Sequence, residues 1–343
     1  MTSISDFDQK KNRHIDINLQ KDVNSSNTTG LEKFRLVHCP LPEIDFHSIN
    51  TSTSLFGKQI SMPLLISSMT GGTSRASELN RIFAEAAELH GIAIGVGSQR
   101  IGIEDPPRME SFRIRKYAPT TLVFANLGAV QLNYGYGIED CLTAVNEIEA
   151  DALFLHLNPL QEALMENGDT AFSGLLAKIE LIARKLPVPL VIKEVGWGIN
   201  WKTAQSLYDA GVAAIDIAGA GGTSWSEVEM HRADSALKKE VAKDFKNWGI
   251  PTADALIEIR EHHQPHLVFA SGGLQNGIDI VKCLALGAAI CGIARPFLKA
   301  ANQSESVLDE RIKIIKEQVR VSMFAIGAQR ISDIKGDVIR KKS

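Results

Sequence analysis

From residue 62 onward the sequence alternates between short apolar runs and stretches with helical patterning. The apolar runs lie at 63–69, 92–97, 121–127, 152–157, 189–195, 213–218, 266–270 and 288–293. Each is continuously apolar rather than alternating, which is typical of parallel strands that are buried on both faces. The pattern therefore predicts a parallel sheet with helices packed around it.

Helical segments separate these runs, at 75–90, 140–150, 172–186, 200–210 and 277–286. Several begin near Ser, Asp or Asn and end at Gly, as helices commonly do. Eight alternating units are what a (β/α)8 barrel requires, whereas the rival open sheet commonly carries GxGxxG in its first turn. Here the first turn reads SSMTGG. We predict an α/β fold, a (β/α)8 TIM barrel with an N-terminal extension and an insertion after strand six.

Four regions lie outside the repeat. Residues 1–58 form a polar extension that we expect to be partly mobile, particularly in its Ser/Asn/Thr-rich stretch at 24–30. Residues 59–335 would make the barrel domain, and 336–343 a tail. Within the barrel domain, a charged insertion at 223–252 follows strand six, and 304–326 is typical of a long amphipathic helix.

The charge balance excludes some classes of partner. With 37 Lys+Arg against 40 Asp+Glu, the net charge of -3 provides no general attraction for nucleic acid or an anionic membrane. The longest nearly apolar stretch, 284–294, is far shorter than the ~18 residues that span a bilayer. The amino terminus is charged rather than apolar, and the four cysteines have no CxxC spacing. We therefore expect a cytoplasmic protein with reduced thiols.

Polar or glycine-rich residues follow nearly every predicted strand. In a barrel the loops after the strands line one mouth, which is where chemistry takes place. Gly272-Gly273 after strand seven and Ala294-Arg295 after strand eight occupy the place where many barrels hold a phosphate. Glycines allow backbone N–H groups to approach phosphate oxygens, although they could equally form tight turns.

Lys193 ends strand five at the same mouth. Its neighbour Glu194 points the other way along the strand, so no carboxylate on its own face would neutralise it. A bound anion is one explanation for this lysine, and a salt bridge to a neighbouring strand is the other.

Strand four brings several polar side chains to the mouth. By the period of two, His156 and Asn158 share a face, and Gln161 and Glu162 follow directly. The histidine is either a satisfied core group or a catalytic one. Glu162 is a single carboxylate, which suits Mg²⁺ with substrate phosphate oxygens and does not suit zinc.

The extension also carries a basic cluster at 10–14, KKNRH. Such a cluster is commonly a solvated face. Together with Arg100 it could instead neutralise a diphosphate that reaches out of the mouth.

Taken together, the strings at the strand ends resemble those of one enzyme family. They are MTGG (69–72), GSQR (97–100), ANLG (125–128), HLNPLQE (156–162), KEVGWG (193–198) and GGTSW (221–225). The chain resembles the type 2 isopentenyl-diphosphate isomerases from about residue 10 to residue 335. These are FMN-dependent (β/α)8 enzymes that interconvert isopentenyl and dimethylallyl diphosphate.

The resemblance implies roles for the residues at matching positions. FMN would contact Ser68, Met69, Thr70, Ser98, Asn126, Lys193, Thr223, Gly272, Gly273, Ala294 and Arg295, with Lys193 beside the N1/O2 edge of the flavin. The diphosphate substrate would contact Lys10, Lys11, Ser98, Gln99, Arg100, Asn158 and Gln161. His156 and Gln161 would be catalytic, and Glu162 would bind Mg²⁺.

The same resemblance implies that reduced FMN acts as acid and base, with NADPH as its reductant. It also implies an extension that covers the substrate and a homo-oligomer, a tetramer or larger.

Two positions depart from the family. Lys10-Lys11 stands where Arg-Lys is usual, which keeps the charge and loses the bidentate fork. Glu166-Asn167-Gly168 stands where Pro-Glu-Gly is common.

Two alternatives remain on sequence grounds. An FMN-dependent 2-hydroxyacid oxidase would need a histidine base and an arginine after strand seven, and 271–277 reads SGGLQNG. A non-catalytic flavin-binding protein would not need His156, Gln161 or Glu162.

Overall fold

The chain folds as a closed barrel of eight parallel strands with helices outside it. A computed structural model describes residues 4–262 and 266–342, with side chains from residue 12 onward. Its strands are β1 (Phe34–Leu36), β2 (Thr53–Leu55), β3 (Lys58–Ile60), β4 (Leu64–Ile66), β5 (Ala93–Gly95), β6 (Val123–Gly128), β7 (Ala152–His156), β8 (Leu190–Lys193), β9 (Ala214–Asp216), β10 (Leu267–Ala270), β11 (Ile290–Ile293) and β12 (Ile339–Lys341). Its helices are α1 (Ile4–Gln20), α2 (Ser74–His90), α3 (Arg100–Glu104), α4 (Ile138–Asn146), α5 (Pro159–Leu164), α6 (Leu175–Lys185), α7 (Trp201–Asp209), α8 (Trp225–Arg232), α9 (Ala236–Asp244), α10 (Thr252–Glu261), α11 (Gly277–Ala285), α12 (Arg295–Ala301) and α13 (Glu305–Ile326).

Strands β4 to β11 are the eight predicted strands, and the predicted TIM barrel is confirmed. They pair in sequence order, and β4 closes the ring against β11. Each is shorter than its apolar run, because the run continues into the loop at one or both ends. Helix starts follow the predicted capping chemistry: Thr73, Asn200 and Asn276 each accept a hydrogen bond from a backbone N–H in the first turn.

The lower half of the barrel interior is filled by aromatic side chains. Phe124 and Phe154 stack with ring centroids 4.5 Å apart, and Phe269 meets Phe124 edge-on at 6.1 Å. The hairpin of β2 and β3 closes this end with Phe56, whose ring lies 6.3 Å from that of Phe124. Since this end is packed and dry, polar side chains of the interior are confined to the opposite end.

The extension and the tail both pack on the barrel. Strand β1 of the extension pairs antiparallel with β12 of the tail. The stretch at 24–30 lies against the loop after β9, with Ser25 N donating to Gly222 O at 2.8 Å and Ala253 N donating to Thr29 O at 2.9 Å. Backbone hydrogen bonds thus replace the side-chain packing that its composition cannot provide. How mobile this stretch is stays a prediction.

The insertion after β9 forms α8 and α9, and the predicted amphipathic helix is α13. Its buried positions are spaced three or four residues apart, which places them on one face. The apolar ones are Leu308, Ile312, Ile315, Val319, Met323 and Ile326, and Ser322 is buried beside them. Among the described residues, none of the helices has the length and apolarity needed to cross a lipid bilayer.

Candidate active site

A cavity of about 350 Å³ opens at the carboxyl ends of β4 to β11. Most of the residues that the resemblance singles out lie on its wall. They are Ser68, Met69, Thr70, Ser98, Arg100, Asn126, His156, Asn158, Gln161, Glu162, Lys193, Thr223, Gly272, Gly273, Ala294 and Arg295. Helix α1 supplies His14 and Asn18 to the same wall. The structure thus brings together side chains from all eight strand ends and from the extension.

One wall of the cavity is formed by glycines of two loops whose backbones pack directly against each other. A Cβ on Gly272 would lie 2.0 Å from the Gly219 carbonyl oxygen, and one on Gly273 would lie 2.4 Å from that of Gly221. Both residues have left-handed backbone, with φ of +100° and +82°. Thr252 Oγ1 donates to the Gly272 oxygen at 2.6 Å and fastens the two loops together. Only glycine permits this close approach of the two loops.

Several polar atoms are buried without a protein partner. Among the described residues they include Ser67 Oγ, Ser68 Oγ, Gln131 Oε1 and Asn158 Oδ1, all in residues that line the cavity. Buried polar atoms are normally hydrogen-bonded, because an unpaired one costs roughly 1–3 kcal/mol. Such atoms indicate that this cavity is built for a polar ligand.

His156 is held at the cavity wall by Asn126. Its Nδ1 lies 2.9 Å from Asn126 Oδ1, and with that oxygen as acceptor Nδ1 carries the proton. As predicted, His156 and Asn158 face the cavity from the strand face that carries Phe154 lower in the barrel.

Gln161 is bonded to a buried acid that sequence reasoning missed. Its Nε2 donates to Glu229 Oε1 at 2.9 Å, and Arg232 donates to Glu229 Oε2 at 2.5 Å. Burial raises the pKa of Glu229, and the nearby charge of Arg232 opposes this only in part. Glu229 lies in the insertion after β9, 68 residues from Gln161, so no local pattern could have linked them.

Glu162 is surrounded by donors at the edge of the cavity. Asn158 Nδ2 donates to it at 2.8 Å and Asp169 N at 2.7 Å. Asp169 also accepts from Arg100 Nη1 at 2.6 Å, and burial raises the pKa of Glu162. In the described part of the chain, no three His, Cys, Asp or Glu side chains are grouped so that they could hold a metal ion. A metal ion bound by Glu162 would therefore need oxygen atoms from a bound small molecule as well as those of the protein.

Lys193 lies among buried acids. Its Nζ donates to the Glu194 carbonyl at 2.6 Å, and Asp216 is opposite it in the β8–β9 register. Burial raises the pKa of Asp216, whereas the Lys193 charge lowers it. Asp216 thus places a carboxyl group on the neighbouring strand, as the second explanation for this lysine requires. Lys193 nevertheless faces the cavity, where it could also bind an anion.

One assignment does not fit the position that the structure shows. Gln99 is fully buried outside the cavity: its Nε2 donates to Ala144 O at 2.8 Å, and its Oε1 accepts from Asn126 N at 2.9 Å. Gln99 follows Ser98 in the chain and its side chain faces away from the cavity, so it cannot contact a substrate bound there. Arg295 lines the cavity, and its guanidinium donates to acceptors of the extension. The side chains of Lys10 and Lys11 lie outside the described ones.

Comparisons with known proteins agree with this geometry. Residues 149–341 match the FMN-dependent dehydrogenase family. The isopentenyl-diphosphate delta-isomerase of Nostoc sp. is 48% identical over 95% of this chain and 93% of its own length. That of Rickettsia africae is 46% identical over 97% of each chain.

Solved structures share the fold at low identity. A putative lactate oxidase of Pediococcus acidilactici aligns with a TM-score of 0.70 at 13% identity, covering 100% of this chain and 95% of its own. A flavocytochrome b2 variant with bound sulfite aligns with a TM-score of 0.69 at 17% identity, covering 100% and 87%. At such identities the likeness shows the barrel alone. From the family match and the two relatives, we conclude that this chain belongs to the FMN-dependent dehydrogenase family and to the isopentenyl-diphosphate delta-isomerases.

Proposed function

We propose that the protein interconverts isopentenyl diphosphate and dimethylallyl diphosphate, using reduced FMN, with Mg²⁺ on the diphosphate. The observation that supports this best is the composition of the cavity described above. It joins a glycine wall that suits a phosphate to the cluster of Gln161, Glu162 and Glu229. A flavin-binding site alone would not require that cluster.

The cavity fits FMN. The unpartnered Ser67 and Ser68 hydroxyls suit the polar edge of a ring, and the backbone at Gly272 and Gly273 suits its phosphate. The remaining residues proposed to hold FMN are Met69, Thr70, Ser98, Asn126, Lys193, Thr223, Ala294 and the backbone of Arg295. When bound in its reduced form, FMN would supply the acid and base that exchange a proton with the substrate.

The residues of the chain must orient the alkene and exclude water. Moving a double bond requires a proton at one carbon and the loss of one two carbons away, and water would trap the cationic state between them. Helix α1 and Trp225 cover the cavity, with the His14 and Trp225 rings 5.8 Å apart. Gln161, fixed by Glu229, and His156, fixed by Asn126, hold hydrogen-bonding groups at defined points of the wall. We assign these two as catalytic groups that orient the substrate.

The diphosphate would lie toward Glu162. Its carboxylate and the unpartnered Asn158 Oδ1 are oxygen donors of the kind Mg²⁺ takes together with phosphate oxygens. Arg100 is held by Glu104 and Asp169 at 2.8 and 2.6 Å and would exchange one of these partners for the diphosphate. Ser98 and Asn158 complete the substrate wall, and Lys10 and Lys11 are proposed to close it from α1.

Two further parts of the proposal rest on the resemblance: NADPH as the reductant of FMN, and a homo-oligomer that is a tetramer or larger. A cytoplasmic location is proposed from the four cysteines, which have no CxxC spacing. The 2-hydroxyacid oxidase alternative gains nothing from the shared barrel, because 271–277 carries neither a histidine nor an arginine.

The experiment combines purified protein, FMN, Mg²⁺, NADPH and isopentenyl diphosphate, and analyses the product for the allylic isomer. Glu162→Gln should reduce turnover by about 100-fold or more, because it removes the charged ligand of the metal. Glu166→Gln, four residues along and exposed, is the matched control and should retain activity. Bleaching of the flavin by a 2-hydroxyacid, without isomerisation, would contradict the proposal.

A further inference from the structure

Arg295 begins α12 at the edge of the cavity and directs its guanidinium toward the N-terminal extension. Nε donates to Asn18 O at 2.9 Å, Nη2 donates to Lys21 O at 2.9 Å, and Nη1 donates to Asn24 Oδ1 at 2.5 Å. Every nitrogen of one guanidinium thus contacts a segment that is more than 270 residues away in sequence.

The acceptors are placed where a cation is favourable. Helix α1 ends at Gln20, so the carbonyls of Asn18 and Lys21 belong to a helix end, where backbone oxygens lack intrahelical partners and the dipole is negative. The Asn24 amide is held ready by Asp22, whose Oδ1 accepts from Asn24 Nδ2 at 2.7 Å. Arg295 therefore fits a turn that the extension has already formed.

The extension is also attached elsewhere. Along α1, Arg75 Nη1 donates to Asp16 Oδ1 at 2.6 Å, and Arg13 Nη2 donates to His231 O at 3.1 Å. Ser25 N donates to Gly222 O and Ser224 N donates to Val23 O, both at 2.8 Å. Ile17 and Val23 pack on Val228 of α8. These contacts fix the chain after α1 and the sides of the helix, whereas Arg295 joins the carboxyl end of the helix to α12.

We propose that Arg295 is a positioning residue that fastens α1 over the cavity, and that its side chain does not hold the FMN phosphate. This rests on the proposed function, since the segment that it fastens would cover the diphosphate substrate. His14 and Asn18 of that segment line the cavity, and His14 Nε2 lies 3.9 Å from Glu229 Oε1. Loosening α1 would therefore disturb the substrate side of the cavity and leave the glycine wall intact.

The test compares Arg295→Gln, Arg295→Lys and the control Arg340→Gln. Arg340 also donates to three acceptors, but they are backbone carbonyls within the tail, at Gly336, Asp337 and Ile339. The measurements are the rate of tryptic cleavage after the exposed Lys21, the dissociation constant for FMN, and KM and kcat for isopentenyl diphosphate. Arg295→Gln should raise the cleavage rate and KM about 10-fold each, with the FMN constant and kcat within about twofold. Arg295→Lys should lie between, because one ammonium cannot span three acceptors.

Three results would overturn the proposal. Weaker FMN binding with unchanged cleavage in Arg295→Gln would show that the side chain binds the FMN phosphate. Unchanged cleavage and KM in both Arg295 variants would show that its contacts do not hold α1 in place. Equal acceleration in Arg340→Gln would show a general loss of stability. The cleavage and FMN measurements need no substrate, so they remain decisive even if the wild-type protein fails to isomerise.

Discussion

The two ends of the barrel differ in the side chains that fill their interior. At the lower end, Phe124, Phe154 and Phe269 fill the interior and the β2–β3 hairpin covers them. At the upper end the interior opens into a cavity whose wall holds unpaired hydroxyls such as that of Ser67 and, close by, buried acids such as Asp216. One end contributes packing energy, and the other retains groups that destabilise the empty fold.

This difference teaches where the barrel carries its stability and where it carries its chemistry. A core without unpaired polar atoms gains from burial, whereas each unpaired polar atom or buried acid at the upper end costs free energy until a ligand meets it. Substitutions at the lower end should therefore change stability with little effect on ligand binding. Those at the upper end should change binding more, and some should stabilise the empty protein.

The largest expected effect is at the lower end. Phe154→Ala removes a fully buried ring that stacks on Phe124 and should cost about 3–5 kcal/mol, or roughly 5–10 °C in Tm. Calorimetry measures this, with Leu181→Ala as control because Leu181 is 50% exposed. FMN affinity of the folded variant should change far less. A large loss of affinity with unchanged Tm would break the separation of the two ends.

Gly272→Ala should have the next largest effect, on FMN binding. The added Cβ would lie 2.0 Å from the Gly219 oxygen on a left-handed residue, so the loop must move. We expect FMN affinity to fall about 100-fold, which is roughly 3 kcal/mol. Gly137→Ala, at a position with open space, is the control. Fluorescence titration of FMN measures both, and wild-type affinity in Gly272→Ala would contradict the role of the glycine wall.

The sequence was sufficient to predict the barrel and most of the cavity wall, because both follow from local patterns. Apolar runs mark parallel strands, and in a barrel the residues after each strand meet at one mouth. The period of two correctly placed His156 and Asn158 above Phe154. Applied at 97–100, the same period would have turned Gln99 away from Ser98 and out of the cavity.

The remainder depended on contacts between distant segments. Nothing near Glu229 indicates that it would meet Gln161, and nothing near Arg295 indicates that α1 would end beside it. The sequence predicts only a polar extension at 1–58, whereas the structure has α1 within it, with Ile15 and Ile17 buried against the rest of the fold. Tertiary packing, not local propensity, decides such a helix.

The third prediction concerns acids at the upper end. Burial raises the pKa of Glu194 to about 7, although the N–H groups of the three following residues lower it. Between the ordinary pKa of 4.5 and about 7 the folded state binds the extra proton, so the free energy of unfolding falls as pH rises across this range. At about 1.4 kcal/mol per pKa unit, the loss is about 3 kcal/mol at most.

Glu194→Gln should therefore flatten the decrease of Tm between pH 5 and pH 8. It should not abolish it, because burial also raises the pKa of Asp216 and of Glu229. Glu139→Gln, at an exposed position on α4, should keep the wild-type slope. A wild-type slope in Glu194→Gln would show that this acid is not neutral in the folded protein at low pH.

The smallest effect compares two serines beside Gly292. Ser271 Oγ donates to Asp216 Oδ1 at 2.7 Å, whereas Ser67 Oγ is buried without a protein partner. Ser67→Ala should raise the stability of the empty protein by about 1 kcal/mol, and Ser271→Ala should lower it by about as much. Differential scanning calorimetry without FMN measures both, and with FMN bound the gain from Ser67→Ala should vanish, because the ligand then uses the hydroxyl. Destabilisation of the empty protein by both variants would mean that Ser67 is already satisfied, and the upper end would then be no costlier to fold than the lower.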